Sequence, residues 1–145
     1  MSEEIARTLE PGAALPAQRL EMILQLKEEG FLAGVNAIPV LPFISDTEEE
    51  LDKMVSSAAN HHADFILVGG LTLFGDGPAD SKTLYFKFLE RKFPHLITQY
   101  RQLYGNNFYP SRRYQDELHE KAKRLCTKYG ISNSILETAA ALSKR

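Results

Sequence analysis

A single cysteine, Cys126, is all that this chain of 145 residues has, which excludes an internal disulfide framework and suits a reducing compartment. It lacks any apolar run near the roughly 20 residues that span a bilayer, so no contact with a membrane is expected. Residues 1–10 are acidic and lack the apolar stretch of a secretory leader, and the expected location is the cytoplasm. Glycine and proline, at 9 and 7 residues, form no low-complexity tract, and no internal repeat is visible. Phosphate-loop, dinucleotide-fingerprint and Gly-x-Ser-x-Gly patterns are missing as well. What is there, 43% hydrophobic and 25% charged, is ordinary for one globular domain with a modest core.

Basic residues are scarce at first and then abundant. Residues 1–80 hold 4 lysines and arginines against 14 aspartates and glutamates, whereas residues 81–130 hold 11 against 4. Such a contrast marks either a nucleic-acid face or a solvated helical surface beside an acidic one.

The order of elements follows from periodicity and breakers. Pro16 suits a helix start because its missing N–H has no intrahelical partner there, and Gly30 can close that helix in a left-handed conformation. Leu20, Ile23, Leu24 and Leu26 cluster toward one side of it. Phe31–Ile38 is apolar almost throughout and reads as a strand buried on both faces, ending before Pro39. Asp46 with Glu49 three residues on reads as a capping box. The helix that follows carries Leu51, Met54, Val55, Ala58 and Ala59 on one stripe. Asp64–Val68 is a second strand, expected to lie parallel beside the first and to be broken by Gly69-Gly70. Beyond a loop from Gly75 to Asp80 the pattern is helical: Ser81–Phe93, Pro94–Tyr104, Ser111–Tyr129 and a short element around Ile135–Leu142.

Several short segments then stand in a telling order. Arg7-Thr8-Leu9-Glu10-Pro11-Gly12 precedes the first helix, and Val35-Asn36-Ala37-Ile38-Pro39-Val40-Leu41-Pro42-Phe43-Ile44-Ser45-Asp46 follows it. Next come the Asp64–Phe74 strand and turn, Gln102-Leu103-Tyr104-Gly105, and Leu125-Cys126 with Tyr129-Gly130. Together they resemble the later part of a radical S-adenosylmethionine protein of the spore photoproduct lyase-like, DNA repair photolyase-related family. Each motif is weak alone, and the resemblance covers roughly residues 6 to 131. It implies that Asn36, Ile38 and Val40 rest against the adenine of S-adenosylmethionine, with the Glu10 carboxylate near the mouth of the site. Without it, those strand residues read as core and Glu10 reads equally well as an exposed loop acid.

The family's [4Fe-4S] cluster needs three thiolates in a Cys-x3-Cys-x2-Cys loop, and one cysteine cannot form it. No Gly-Gly-Glu-Pro-like segment is found either. No cofactor is therefore expected in this chain, and S-adenosylmethionine and the cluster only in a full-length counterpart. His61, His62, His95 and His119 lack metal-site spacing, so no metal is expected. Cys126 falls on the apolar stripe of its helix and reads as a buried thiol. The segment from Tyr100 to Arg113 interleaves aromatic and basic side chains. Arg101, Tyr104, Arg112 and Arg113 are its candidate nucleic-acid contacts, although the tyrosines equally suit docking of helices on the sheet.

The expectation is thus an α/β chain: the C-terminal portion of a partial (β/α) TIM-like barrel with parallel strands, followed by a helical extension. Residues 1–80 would form the last βα units and residues 81–145 the extension packed on them. The expected role is a fragment of a radical S-adenosylmethionine enzyme, not catalytic by itself. A non-catalytic nucleic-acid or nucleoside binding module, or a purely structural fragment, is the alternative. The open sheet would be covered by the missing N-terminal barrel portion, by a second copy in a homodimer, or by the C-terminal helices. Weak DNA binding is the further expectation.

Overall fold

The computed structural model describes residues 3–143. Its elements in chain order are α1 (Glu3–Leu9), α2 (Pro16–Glu28), β1 (Val35–Val40), α3 (Glu48–Asn60) and β2 (Ile66–Gly70). Then follow α4 (Ser81–Lys92), a 3-10 turn (Pro94–Leu96), α5 (Ile97–Tyr104), α6 (Arg112–Tyr129) and α7 (Ile135–Leu142).

β1 and β2 are parallel neighbours, with Val35 beside Ile66, Asn36 beside Leu67 and Ala37 beside Val68. They are the only two strands among the described residues, and helices make up most of the chain. The expected partial (β/α) TIM-like barrel is therefore not what the chain forms. Two short strands cannot curve toward closure, and the helices gather on one face and one end of the pair. Among the described residues, a single bridge between Phe65 and Ser132, with the Ile66 N–H donating to the Ser132 carbonyl at 2.9 Å, is all that continues the sheet beyond β2.

One face of the pair is core. Val35, Ala37, Ile66 and Val68 meet Leu51, Val55 and Ala58 of α3 and Leu118, Leu125 and Cys126 of α6. The spacing of these residues on α3 and α6 gives each helix one apolar stripe, and burying both stripes on one sheet face explains why the two helices pack together. The other face is open. Asn36 and Ile38 are exposed, and Ile38 leans over Gly69, where an added Cβ would stand 3.0 Å from it. Phe31 and Leu32, expected inside a strand buried on both faces, lie before β1 and are exposed.

The strand also runs past its expected end. β1 continues through Pro39 to Val40, which pairs with Gly70, and β2 includes the two glycines expected to break it. Pro39 has no N–H to give, so the register is irregular between Ala37 and Val40. That irregularity breaks the alternation of faces. Asn36 and Ile38 point outward, but Val40 is buried in the core.

Thr47, not Asp46, caps α3, its hydroxyl accepting the Glu50 N–H at 3.2 Å. Asp46 is drawn into the interior instead, where the Tyr114 hydroxyl donates to it at 2.9 Å. The Lys27 ammonium and the Ala33 N–H both bond the Asp64 carboxylate, at 2.6 and 2.8 Å, and tie the end of α2 to the approach to β2. A second apolar cluster contains Leu41 and Leu73 from beyond the strands with Tyr85, Phe88, Leu89, Leu96, Tyr100 and Tyr104. Ile5 and Leu9 of α1 pack on it, and α1 is a helix for which the sequence reading had no expectation.

Candidate functional site

In parallel α/β sheets, ligands meet the chain beyond the carboxyl ends of the strands, where loops carry unpaired backbone groups. Here those ends lead into Leu41–Asp46 and Leu71–Asp80, and α4 and α5 close over them with a group of tyrosines. The Tyr100 hydroxyl donates to the Pro42 carbonyl at 2.6 Å, and the Tyr104 hydroxyl donates to the Leu71 carbonyl at 2.7 Å. Tyr85 and Tyr100 hydroxyls stand 2.9 Å apart. Because the one proton of Tyr100 goes to a carbonyl, Tyr85 is the donor in that pair. The rings of Tyr100 and Tyr104 stack at 6.0 Å, only 6° from parallel. Burial pushes the phenol of Tyr85 up to about 12 and raises Tyr100, Tyr104 and Tyr114 as well. Tyr114 is raised further by the neighbouring Asp46 carboxylate.

The residues expected around S-adenosylmethionine do not converge. Glu10 is exposed between α1 and α2 and ion-pairs with Arg19. Asn36 and Ile38 lie on the open sheet face, whereas Val40 is 1% exposed on the other side. Nor do the residues present fit an iron–sulfur cluster, since the one thiol, Cys126, is buried in the core and raised by that burial. Among the described residues no group of three or more His, Cys, Asp or Glu is placed to hold a metal ion.

Of the four candidate nucleic-acid residues, Arg101 and Tyr104 line one cleft, and Arg112 and Arg113 are not part of it. Tyr104 is buried and its hydroxyl is taken by a backbone carbonyl, which leaves its ring to hold α5 on the second cluster. Arg112 and Arg113 are exposed at the start of α6, facing Asp116 at 3.9 Å and Glu117 at 2.8 Å one turn on. Arg101 lines a cleft of about 440 Å³ between α4 and α5, with Phe86, Lys87, Glu90 and Asn107. Beside Leu73 and Asn107 of that lining, Phe74 and Phe108 carry exposed rings 5.3 Å apart, with Tyr109 at 6.3 Å from Phe74. Sequence reasoning missed Phe74, Phe86 and Lys87. The only signal was the helical spacing of Thr83, Phe86, Lys87 and Glu90, which places them on one face of α4.

The chain is similar to uncharacterized proteins of Mycobacterium bovis and Mycobacterium tuberculosis, each 32% identical over 143 residues. The match takes in 96% of this chain and 41% of each relative. The chain spans about two fifths of their length. No family model matches the sequence, and no solved structure matches it. Among the described residues no helix is long and apolar enough to cross a membrane.

Proposed function

We propose that this chain is the C-terminal portion of a radical S-adenosylmethionine protein of the spore photoproduct lyase-like kind, and is not catalytic by itself. The observation that carries the reading is the open face of the β1–β2 pair in a chain spanning 41% of its relatives' length. A two-stranded parallel sheet with Ile38 exposed and Gly69 kept bare beneath it needs cover, because parallel sheets are ordinarily buried on both faces. The remaining part of the longer protein supplies that cover and the cluster ligands, and a second copy of this chain is the lesser alternative. The ordered motifs from Glu10-Pro11-Gly12 to Tyr129-Gly130 support the family assignment. The buried free thiol fits the reducing cytoplasm as its location.

The chemistry of the bound groups, reductive cleavage of S-adenosylmethionine on a [4Fe-4S] cluster, belongs to the rest of the protein. This chain's share is to present the strand ends and to hold them in place through the Tyr100 and Tyr104 hydrogen bonds. Anaerobic reconstitution with iron and sulfide tests the assignment. The chain alone should acquire no cluster absorbance, and the intact Mycobacterium tuberculosis relative should acquire it and release 5′-deoxyadenosine under a reductant. An intact relative without a cluster would refute the family reading. A stoichiometric cluster on this chain alone would refute its dependence on the remainder.

A further inference from the structure

We propose that the outer side of α2 and the residues leading into β1 form a docking surface for the remaining part of the longer protein. Its centre is an apolar patch of Met22, Leu26, Phe31 and Leu32, and the partner it fits has an apolar centre with a basic border. The inference rests on the reading that this chain belongs to a longer protein, and nothing in it requires a cluster or S-adenosylmethionine.

The way α2 ends builds the patch. Leu20 and Ile23 turn one side of the helix into the core with α3 and α6. Met22 and Leu26, one turn apart, fall on a neighbouring side and are exposed. Gly30 then takes a positive φ, its N–H donates to the Lys27 carbonyl at 3.0 Å, and the Phe31 N–H donates to the Leu26 carbonyl at 2.9 Å. That pattern closes a helix by bringing the residue after the glycine back onto the last apolar turn, here Phe31 onto Leu26. The contact buries neither: Phe31 stays more than half exposed, and Leu32 beside it is exposed too. The backbone there is firmly held. The Lys27 ammonium, paired with Asp64, also donates to the Phe31 carbonyl at 3.1 Å, and the same carboxylate accepts the Ala33 N–H at 2.8 Å. Large apolar side chains held outward on a fixed backbone make a patch of the kind that marks protein contacts.

Length, position and charge name the occupant. The chain spans 41% of the mycobacterial relatives it matches, so most of each relative lies outside this fold. The patch runs into β1, which starts at Val35, and so adjoins the open sheet face where Ile38 is exposed. One partner body lying over that face also reaches the patch. The charge left free on α2 is of one sign. Arg19 pairs with Glu10 and Lys27 with Asp64, whereas Glu21, Glu28 and Glu29 are exposed and, among the described residues, have no cation within 4.0 Å. Glu29 stands at the end of α2, three residues beyond Leu26 and on its side of the helix. Lysines or arginines around an apolar centre on the partner complement that border and fix its orientation.

Hydroxyl-radical footprinting of a chimera, in which this chain replaces the matching part of the Mycobacterium tuberculosis relative, tests the surface. Oxidation of Met22 and Phe31 should fall severalfold from the isolated chain to the chimera. Met22→Gln with Phe31→Gln should shift the melting temperature of the isolated chain by no more than about 2 °C, because both side chains face water there, and lower that of the chimera by about 4–8 °C. Glu29→Lys should also lower the chimera's melting temperature, more at low salt than at high. If the chimera does not fold, the footprint is read on this chain co-expressed with the rest of the relative, which should hold it and protect the same two residues. Unchanged oxidation of Met22 and Phe31, an equal effect of the double substitution on chain and chimera, or no association of the separate parts would overturn the proposal. So would a dimer of the isolated chain that the same two substitutions dissolve, since a second copy would then be the occupant. A protected patch in a chimera that takes up no cluster upholds this surface and refutes the family reading, and a cluster beside an unprotected patch does the reverse.

Discussion

Raising the pH through 10 toward 12 should unfold this protein in one cooperative transition. Tyrosine ionises near 10 in an unfolded chain, and burial holds Tyr85 at about 12 with Tyr100, Tyr104 and Tyr114 also raised. The folded state therefore favours the neutral phenols. That stability is complete below pH 10 and is lost as the pH rises through the folded values. Tyr85 alone accounts for roughly 2–3 kcal/mol across its interval, at 1.36 kcal/mol per unit. Tyrosinate absorbance and far-ultraviolet circular dichroism should change together. If the phenols ionise near 10 while the helices persist, the cluster over the strand ends is open to water.

Replacing Leu51 with alanine should destabilise the chain by about 2–5 kcal/mol, as large-to-small changes in a packed core do. Leu51 is fully buried on α3, in the cluster where the α3 stripe meets α6 and the sheet. With typical domain stabilities of about 5–15 kcal/mol, that loss consumes a large share of the total. Arg113→Ala, at a side chain 89% exposed and paired with Glu117, should leave the unfolding midpoint close to that of the unaltered chain. Urea unfolding of the two variants makes the comparison. A Leu51→Ala loss below about 1 kcal/mol would mean that α3 does not form the core described here.

The helices were largely legible because their ends carry local signals. Pro16 opens α2, Ser111 caps α6 by accepting the Tyr114 N–H, and Gly30 and Gly130 take positive φ where chains turn out of helices. The strand pair was legible as parallel neighbours for the same local reason, an apolar run on each side of an amphipathic helix. What eluded the sequence depends on partners far along the chain. Asp46 satisfies every local rule for a cap, yet Tyr114, 68 residues later, takes its carboxylate and leaves the cap to Thr47. Phe31–Ile38 looks buried on both faces because its residues are apolar, but no described element covers the outer one. The barrel expectation failed at that same point, since curvature requires neighbouring strands that these residues do not contain. Among the site candidates, Arg101 and Tyr104 both line the cleft between α4 and α5, but the Arg101 side chain is exposed while Tyr104 is buried with its hydroxyl on the Leu71 carbonyl; a helix period cannot distinguish the two.

On our proposal, this chain completes a larger cluster-bearing protein whose remaining part covers the outer face of β1 and β2. The most direct test is a chimera in which this chain replaces the matching two fifths of the Mycobacterium tuberculosis relative. Hydrogen exchange at Asn36, Ile38, Leu67 and Gly69 would then be followed alongside S-adenosylmethionine cleavage. Slowed exchange at those amides relative to the isolated chain, together with 5′-deoxyadenosine formation, is the expected result. Unchanged exchange in a folded chimera, with no cleavage product, would contradict it.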